Sequence, residues 1–345
     1  MVIATQLHPI HEANEKSPFG GLSKEEFYRK HKVVNAQSSM LNHQNIKIFT
    51  QTWEPEPAPS HEGIHNHRGL VAMVHGYSSE SSWVFQLTAV AIAKLGFYVC
   101  ALDLRGHGYS DGPRGRIPNI DPIIDDCVQF FDSERLGRRK LPAFLYGESL
   151  GGAVVTLVYL RQKGEWSGLI LNGAMCGISK RYKPPWPLEK LLPVPALITP
   201  NWKIPLTKPL VTKAYSEKWK RKLVSNTPNR PHGGRTPAAT ALEFMRVVKV
   251  IKKRSKELDL PMLVLHGEDD VICDVESART VYDLSVSKDK RLEVFAGMGH
   301  QLIGESEEGV NAAFGVVFSW LVEKADKLVA EKADKLVASN TQVHV

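Results

Sequence analysis

The stretch "LYGESLGG", residues 145–152, places a serine between glycines directly after an apolar run. Its centre fits the pattern G-x-S-x-G, with Gly147 and Gly151 two residues on either side of Ser149. A serine hydroxyl becomes a nucleophile when a base takes its proton and the backbone holds it clear of its neighbours. A sharp strand-turn-helix connection does this, and the flanking glycines leave room for the turn. Because a strand pattern precedes Ser149 and a helical pattern follows it, we interpret Ser149 as a nucleophile rather than an ordinary turn residue.

Strand and helix patterns alternate along most of the chain. Short apolar runs typical of strands lie at 69–74, 97–103, 141–146, 168–173, 261–267 and 291–297. Helical patterns separate them at 82–95, 120–137, 150–163 and 274–285, and a closing helix is predicted from about 306. Apolar strands joined by helices predict an α/β fold, in which a mostly parallel sheet carries helices on both faces.

A proline-rich segment interrupts this alternation. Eight of the 21 prolines lie between Pro184 and Pro209, a density that is incompatible with long helices or central strands. The segment is also apolar, which indicates that it packs on something, and its Trp186 and Trp202 are candidates for the lining of a pocket. We therefore predict a cap inserted into the sheet domain.

The predicted divisions follow from these patterns. They are a polar leader at 1–24, a first part of the core at 25–173, the cap at 174–257, a second part of the core at 258–322 and a tail at 323–345. In the tail, "EKADKLVA" occurs twice in succession. A period of eight turns each copy's apolar residues to a new side of a helix, so the tail is predicted to extend the last helix without one clean apolar face.

A nucleophilic serine on such a turn needs an acid and a histidine later in the chain, each on a loop that follows a strand. The chain after the strand at 261–267 offers the carboxylates of Glu268, Asp269, Asp270 and Asp274, and His300 follows the next strand. His300 is predicted to take the proton of Ser149, and a buried carboxylate to hold the imidazole tautomer. Mechanism alone leaves open which carboxylate does so.

Acyl transfer also needs backbone N–H groups that face the developing oxyanion. One donor is predicted on Leu150, the residue after the nucleophile. The other is predicted on Tyr77 in "VHGYSS" (74–79), the loop after an early strand. Cys273 follows the acidic run, and it is interpreted either as a pocket-lining residue or as a buried bystander.

Five motifs occur in the order "HGYSSESSW", "LDLRGHGYSDG", "FLYGESLGG", "HGEDDVICD" and "GMGHQL". Together they resemble the monoacylglycerol lipase family of α/β hydrolases, and "AMCGISKRYKPPWP" is similar to the start of the cap in plant members. The resemblance covers roughly residues 25–322, implies the α/β-hydrolase fold with a cap, and implies that Asp270 is the acid beside Ser149 and His300. The chain departs from the plant pattern after His300, where "GESEEG" stands in place of a run to Gly-Glu-Pro-Asp.

These observations predict a serine ester hydrolase that works through an acyl-enzyme and needs neither a metal nor another cofactor. A monoacylglycerol or a similar lipid ester is the first choice of substrate. Plant caffeoylshikimate esterase is similar to the same subfamily, so hydrolysis of a caffeoyl ester is an alternative. Two further alternatives are an acyltransferase on a specialised metabolite and a small-molecule receptor with slow or no turnover.

The charge and cysteine content of the sequence limit the expected classes of partner and the expected cellular compartment. Lys and Arg outnumber Asp and Glu by 44 to 37, with basic clusters at 138–140, 218–222 and 249–254. No zinc-finger or RNA-binding pattern accompanies them, so nucleic acid is not expected, whereas peripheral membrane contact through the cap and basic clusters is an open alternative. Four dispersed cysteines and a polar beginning favour a cytoplasmic protein. The histidine-rich loop at 61–67 is polar and is not expected to hold a metal, and the oligomeric state stays open.

Overall fold

A computed structural model describes residues 7–57, 67–181, 211–229 and 236–342. Trp186 and Trp202, predicted to line a pocket, and residues 61–66 of the histidine-rich loop lie outside these ranges.

An eight-stranded sheet forms the centre of the described chain, with the spatial order β1-β2-β4-β3-β5-β6-β7-β8. The first two strands are antiparallel, β2 is also antiparallel to β4, and all other neighbouring pairs are parallel. The strands are β1 (Val33–Leu41), β2 (Lys47–Pro55), β3 (Leu70–Val74), β4 (Tyr98–Leu102), β5 (Ala143–Glu148), β6 (Gly168–Asn172), β7 (Met262–Gly267) and β8 (Lys290–Phe295).

Helices connect the parallel strands and flank the sheet. The α-helices are α1 (Lys24–His31), α2 (Phe85–Lys94), α3 (Asp121–Leu136), α4 (Leu150–Arg161), α5 (Val211–Ala214), α6 (Lys218–Ser225), α7 (Ala238–Arg254), α8 (Val275–Leu284) and α9 (Glu307–Gln342). Short 3₁₀ turns lie at Pro9–Glu12, Ser255–Glu257 and Leu302–Gly304. None of the helices in the described ranges is both long enough and apolar enough to cross a bilayer.

The central strands are buried because both of their faces are covered. In β3, Leu70, Ala72 and Val74 belong to one apolar cluster, whereas Val71 and Met73 belong to another on the opposite face. Successive side chains of a strand point to opposite faces, so the apolar run supplies both layers. Helices α3, α4, α7 and α8 contribute to the first cluster, and α1, α2 and α9 to the second. The prediction of a mostly parallel sheet with helices on both faces is confirmed.

The predicted polar leader packs against the end of the chain. Ile10 is fully buried, and the buried ring of His8 lies 4.5 Å from the ring of Phe314 in α9, measured between centroids. The first copy of the duplicated segment also contacts the core domain, because Lys324 pairs with Asp289 at 2.9 Å and Ala325 is fully buried. The leader therefore packs on the same face of the sheet as α9, and the beginning of the tail continues that helix.

Between β6 and β7 the described chain forms α5, α6 and α7. The last of these packs against α4, and its Phe244, Val247 and Ile251 join the first apolar cluster. The helix at the end of the predicted cap thus covers one face of the sheet.

Candidate active site

Ser149 lies at the junction between β5 and α4. Its backbone has φ 53° and ψ −119°, a conformation that costs free energy for any residue other than glycine. The flanking glycines are required by close backbone contacts. A Cβ on Gly151 would lie 2.0 Å from the carbonyl oxygen of Val74, and one on Gly147 would lie 2.4 Å from the carbonyl oxygen of Gly151. Local geometry therefore gives a strained turn that presents the serine at the carboxyl end of the sheet.

Three of the predicted side chains form one hydrogen-bonded chain. His300 Nε2 lies 2.9 Å from Ser149 Oγ, and His300 Nδ1 lies 2.7 Å from Asp270 Oδ2. The loops after β5, β7 and β8 supply these residues, because the carboxyl ends of parallel strands meet at the same edge of the sheet. His300 is 4% and Asp270 is 8% exposed, so the bond between them is shielded from water.

The structure separates Asp270 from the other carboxylates of the acidic run. Glu268 and Asp269 are exposed, and Asp274 caps the first turn of α8 by accepting from Ser277 N. Asp270 Oδ1 accepts from the backbone N–H groups of Ile272 and Cys273 at 2.8 and 3.0 Å. Burial by itself raises the pKa of this carboxyl, but the charge and hydrogen bonds of His300 and the hydrogen bond of His266 outweigh burial and hold the pKa well below its usual range.

The loop after β3 lies directly against Ser149. A Cβ added to Gly76 would be 3.2 Å from Ser149 Cβ, and Tyr77 lines the same cleft as Ser149. The side chain of His75 holds this loop, since its Nε2 accepts from Leu104 N at 3.0 Å. Burial lowers the pKa of His75 to about 4, which keeps the imidazole neutral and able to accept. Leu150 begins α4, where the first N–H groups have no partner within the helix.

Two buried side chains beside the site, Glu148 and His266, were not predicted from the sequence. Glu148 precedes Ser149 and accepts from Tyr146 Oη at 2.7 Å, and that hydroxyl accepts from Asn172 Nδ2 at 2.8 Å. Burial raises the pKa of Glu148 to about 7. His266 contacts Asp270 from β7. The only signal for His266 is a single histidine at the end of the apolar run "LVLH" (263–266), which the sequence alone does not distinguish from a core residue.

Cys273 is buried beside Asp270, and burial raises its thiol pKa well above the usual range. Its neighbour Ile272 lines the cleft at Ser149. Asp270, Cys273 and His300 place potential metal-ligand atoms within 4.8 Å of one another in the described chain. Asp270 and His300 already use their polar atoms in the hydrogen bonds described above, so the arrangement favours proton transfer at Ser149.

Comparison with known proteins gives consistent matches. The family model Hydrolase_4, described as serine aminopeptidase S33, matches residues 65–307. Caffeoylshikimate esterase of Arabidopsis thaliana is 30% identical over 313 residues, which cover 90% of this chain and 92% of that protein. Monoglyceride lipase of Homo sapiens is 24% identical over 288 residues, covering 83% and 90% of the two chains.

A solved structure has the same fold. The crystal structure of a soluble variant of monoglyceride lipase from Saccharomyces cerevisiae, in complex with a substrate analog, superposes with a TM-score of 0.70. The sequences are 22% identical, and the alignment covers 83% of this chain and 94% of that one. The likeness therefore extends over most of both chains.

Proposed function

The chain belongs to the Hydrolase_4 family (serine aminopeptidase, S33) of α/β hydrolases, and from that premise we propose that Ser149, His300 and Asp270 cleave a small carboxylic ester through an acyl-enzyme. The family expected from the five motifs is confirmed, and the chain is a serine ester hydrolase. The observation that carries the proposed roles is the hydrogen-bonded chain from Ser149 Oγ through His300 to Asp270.

In the first half-reaction, Ser149 Oγ attacks the ester carbonyl while His300 Nε2 takes its proton. His300 Nδ1–H donates to Asp270 Oδ2 throughout, which fixes the tautomer and stabilises the imidazolium that forms. The protonated His300 then gives its proton to the leaving alcohol, and the acyl group stays on Ser149. In the second half-reaction water attacks this ester with His300 again as base, which releases the acid and restores Ser149.

The backbone N–H groups of Leu150 and Tyr77 are assigned to the oxyanion in this proposal. Leu150 follows the nucleophile at the start of α4, and the Tyr77 loop lies against Ser149. Both donors are part of the backbone, so they are in place before the substrate binds. Removal of one such donor costs about 10²- to 10³-fold in kcat in serine hydrolases, which makes these two groups a large part of the catalysis.

Apolar side chains form part of the cleft at Ser149, which supports an apolar acyl group in the proposed substrate. Its walls include Tyr77, Ala214, Tyr215, Val224 and Ile272. The residues Ala214, Tyr215 and Val224 belong to the segment 174–257, which acts as the cap in this proposal. Pockets for small ligands are lined mainly by apolar side chains, with a few polar groups that fix orientation. A monoacylglycerol supplies one acyl chain and a polar alcohol, and monoglyceride lipases are among the relatives.

A phenolic ester is the second candidate substrate. It is favoured by the relative that is 30% identical over 90% of this chain, which is named caffeoylshikimate esterase. A caffeoyl group is flat and apolar on both faces, so it is compatible with aromatic walls such as Tyr77 and Tyr215.

Product analysis distinguishes the two candidates. The enzyme is incubated with a monoacylglycerol and with a caffeoyl ester at equal concentration, and free fatty acid and caffeate are measured by mass spectrometry. We expect fatty acid to be released from the monoacylglycerol at a kcat/KM at least tenfold above that for the caffeoyl ester. Release of caffeate alone would replace the first candidate by the second, and release of neither acid would contradict the proposed function.

Peripheral membrane contact in the cytoplasm completes the proposal. The cap helix α6 carries exposed Lys218 and Lys222, of which Lys222 pairs with Glu15 at 2.7 Å, and it supplies Val224 to the cleft, so basic side chains lie near the entrance to Ser149. Each basic residue near an anionic bilayer contributes about 1 kcal/mol of binding free energy. The same assay, with the monoacylglycerol in anionic or neutral vesicles, is expected to run severalfold faster on the anionic ones at low salt. Equal rates on both would contradict membrane contact through these residues.

A further inference from the structure

A second histidine contacts Asp270 in addition to His300. His266 is the penultimate residue of β7, and its side chain is fully buried. Its Nε2 lies 3.1 Å from Asp270 Oδ2 and 2.9 Å from the carbonyl oxygen of Cys273. The mechanism above gives this ring no part, yet it touches the same carboxylate oxygen as His300.

The surroundings of the ring decide which nitrogen carries its proton. A carbonyl oxygen only accepts, so the contact with Cys273 requires a proton on His266 Nε2. His266 Nδ1 has no hydrogen-bond partner among the described residues, and a proton there would be a buried donor without an acceptor. His266 therefore shares its Nε2–H between Cys273 O and Asp270 Oδ2.

This arrangement holds both carboxylate oxygens of Asp270 by hydrogen bonds. Oδ2 lies between His300 Nδ1–H and His266 Nε2–H, and Oδ1 accepts from the backbone N–H groups of Ile272 and Cys273. Cys273 links the two ends, because its N–H holds Oδ1 while its carbonyl holds His266. The carboxylate cannot turn about its χ2 angle without breaking bonds on both sides.

We propose that His266 is a positioning residue for the reaction: it aims Asp270 Oδ2 at His300 and withdraws negative charge from that oxygen. The inference rests on the proposed function, since it assigns His266 an effect on the catalysis of Ser149. Among the described residues, His300 and His266 are the titratable side chains that lower the pKa of Asp270, and the charge of the buried Glu148, whose pKa burial raises to about 7, acts on His300. The thiols of Cys273 and Cys176 are also buried nearby, and burial raises the pKa of both, so they stay neutral at ordinary pH.

Two variants separate the hydrogen bond from the volume of the ring. In His266→Gln the amide nitrogen reaches the place of Nε2 and keeps a donor, whereas His266→Phe fills the space without one. The rate at which a fluorophosphonate labels Ser149 is measured for both variants and wild type, between pH 5 and 9. The probe reports on the nucleophile whichever ester is the substrate.

The His266→Phe variant is expected to be labelled roughly 10- to 100-fold more slowly, as for a lost hydrogen bond to a charged group, while His266→Gln stays within about threefold of wild type. Without the N–H donor of His266, Asp270 Oδ2 keeps more negative charge. It then stabilises the protonated form of His300 more strongly. Labelling needs neutral His300, so its acid limb is expected to move upward by roughly half a pH unit or more in His266→Phe alone.

Wild-type rates and an unshifted acid limb in His266→Phe would overturn the inference. It would equally be overturned if both variants slowed alike with the same fall in Tm, because that result indicates packing. Failure of the proposed function has a different signature: wild type then hydrolyses neither ester, while the ratio of labelling rates still measures the effect of His266.

Discussion

The Ser149→Ala variant is expected to lose about 10⁴- to 10⁶-fold in kcat for ester hydrolysis. Alanine cannot form the acyl-enzyme, so the remaining rate comes from oxyanion donors and substrate binding acting on water. The fold is expected to survive, because alanine meets the same backbone cost as serine at φ 53°. Initial rates on the preferred ester and thermal unfolding of both proteins measure these two expectations.

Ser79→Ala is the matched control for this variant. Ser79 lines the same cleft, and the variant removes the same kind of hydroxyl. Ser79 is not part of the hydrogen-bonded chain of Ser149, His300 and Asp270. Its kcat is expected to stay within tenfold of wild type. If Ser149→Ala retained more than a hundredth of wild-type activity with KM unchanged, Ser149 would not be the nucleophile.

The Asp270→Asn variant is expected to lose about 10⁴-fold in kcat with little change in KM. The amide nitrogen in place of Oδ2 donates to His300 Nδ1, which moves the imidazole proton to Nε2. His300 then faces Ser149 Oγ with a donor and cannot accept its proton. The bonds from Ile272 N and Cys273 N persist on the amide oxygen, whereas the bond from His266 Nε2–H to Oδ2 is lost.

Asp269→Asn removes the same charge one residue earlier and serves as its control. Asp269 is exposed, and solvent screens its charge from the site. Its kcat is expected to stay within threefold of wild type, measured on the same ester at the same pH. Equal losses in the two variants would show that net charge, rather than the His300–Asp270 bond, controls the rate.

The central sheet was predictable because its strands carry their own signal. Strands buried on both faces are continuous apolar runs, as in "LVAMV" (70–74), and the helices between them contrast in period. The antiparallel strand β1 was missed, since its residues are mostly exposed and its apolar residues form no run longer than two. The buried His8 and Ile10 were missed too, because this segment is covered by α2 and α9, which lie about 80 and about 300 residues away in sequence.

The candidate site also contains residues that the sequence predicts and a choice that depends on the folded structure. Ser149 and His300 were placed by motifs that follow strands, so their meeting at one edge of the sheet follows from parallel topology. The choice among four carboxylates depends on the turn after β7, where two backbone N–H groups hold Asp270 while Asp269 points to solvent. Hydrophobic periodicity in the sequence does not show which acidic residue of this turn is buried. The pocket-lining role of Trp186 and Trp202 stays a prediction, as both lie outside the described residues.

Peptide mapping of the labelled enzyme tests whether Ser149 is the nucleophile. Wild type and Ser149→Ala are treated with a fluorophosphonate, digested and sequenced by tandem mass spectrometry. We expect one phosphonyl group per chain, on Ser149, and no adduct on the variant. A label on another residue, or equal labelling of the Ser149→Ala protein, would contradict it.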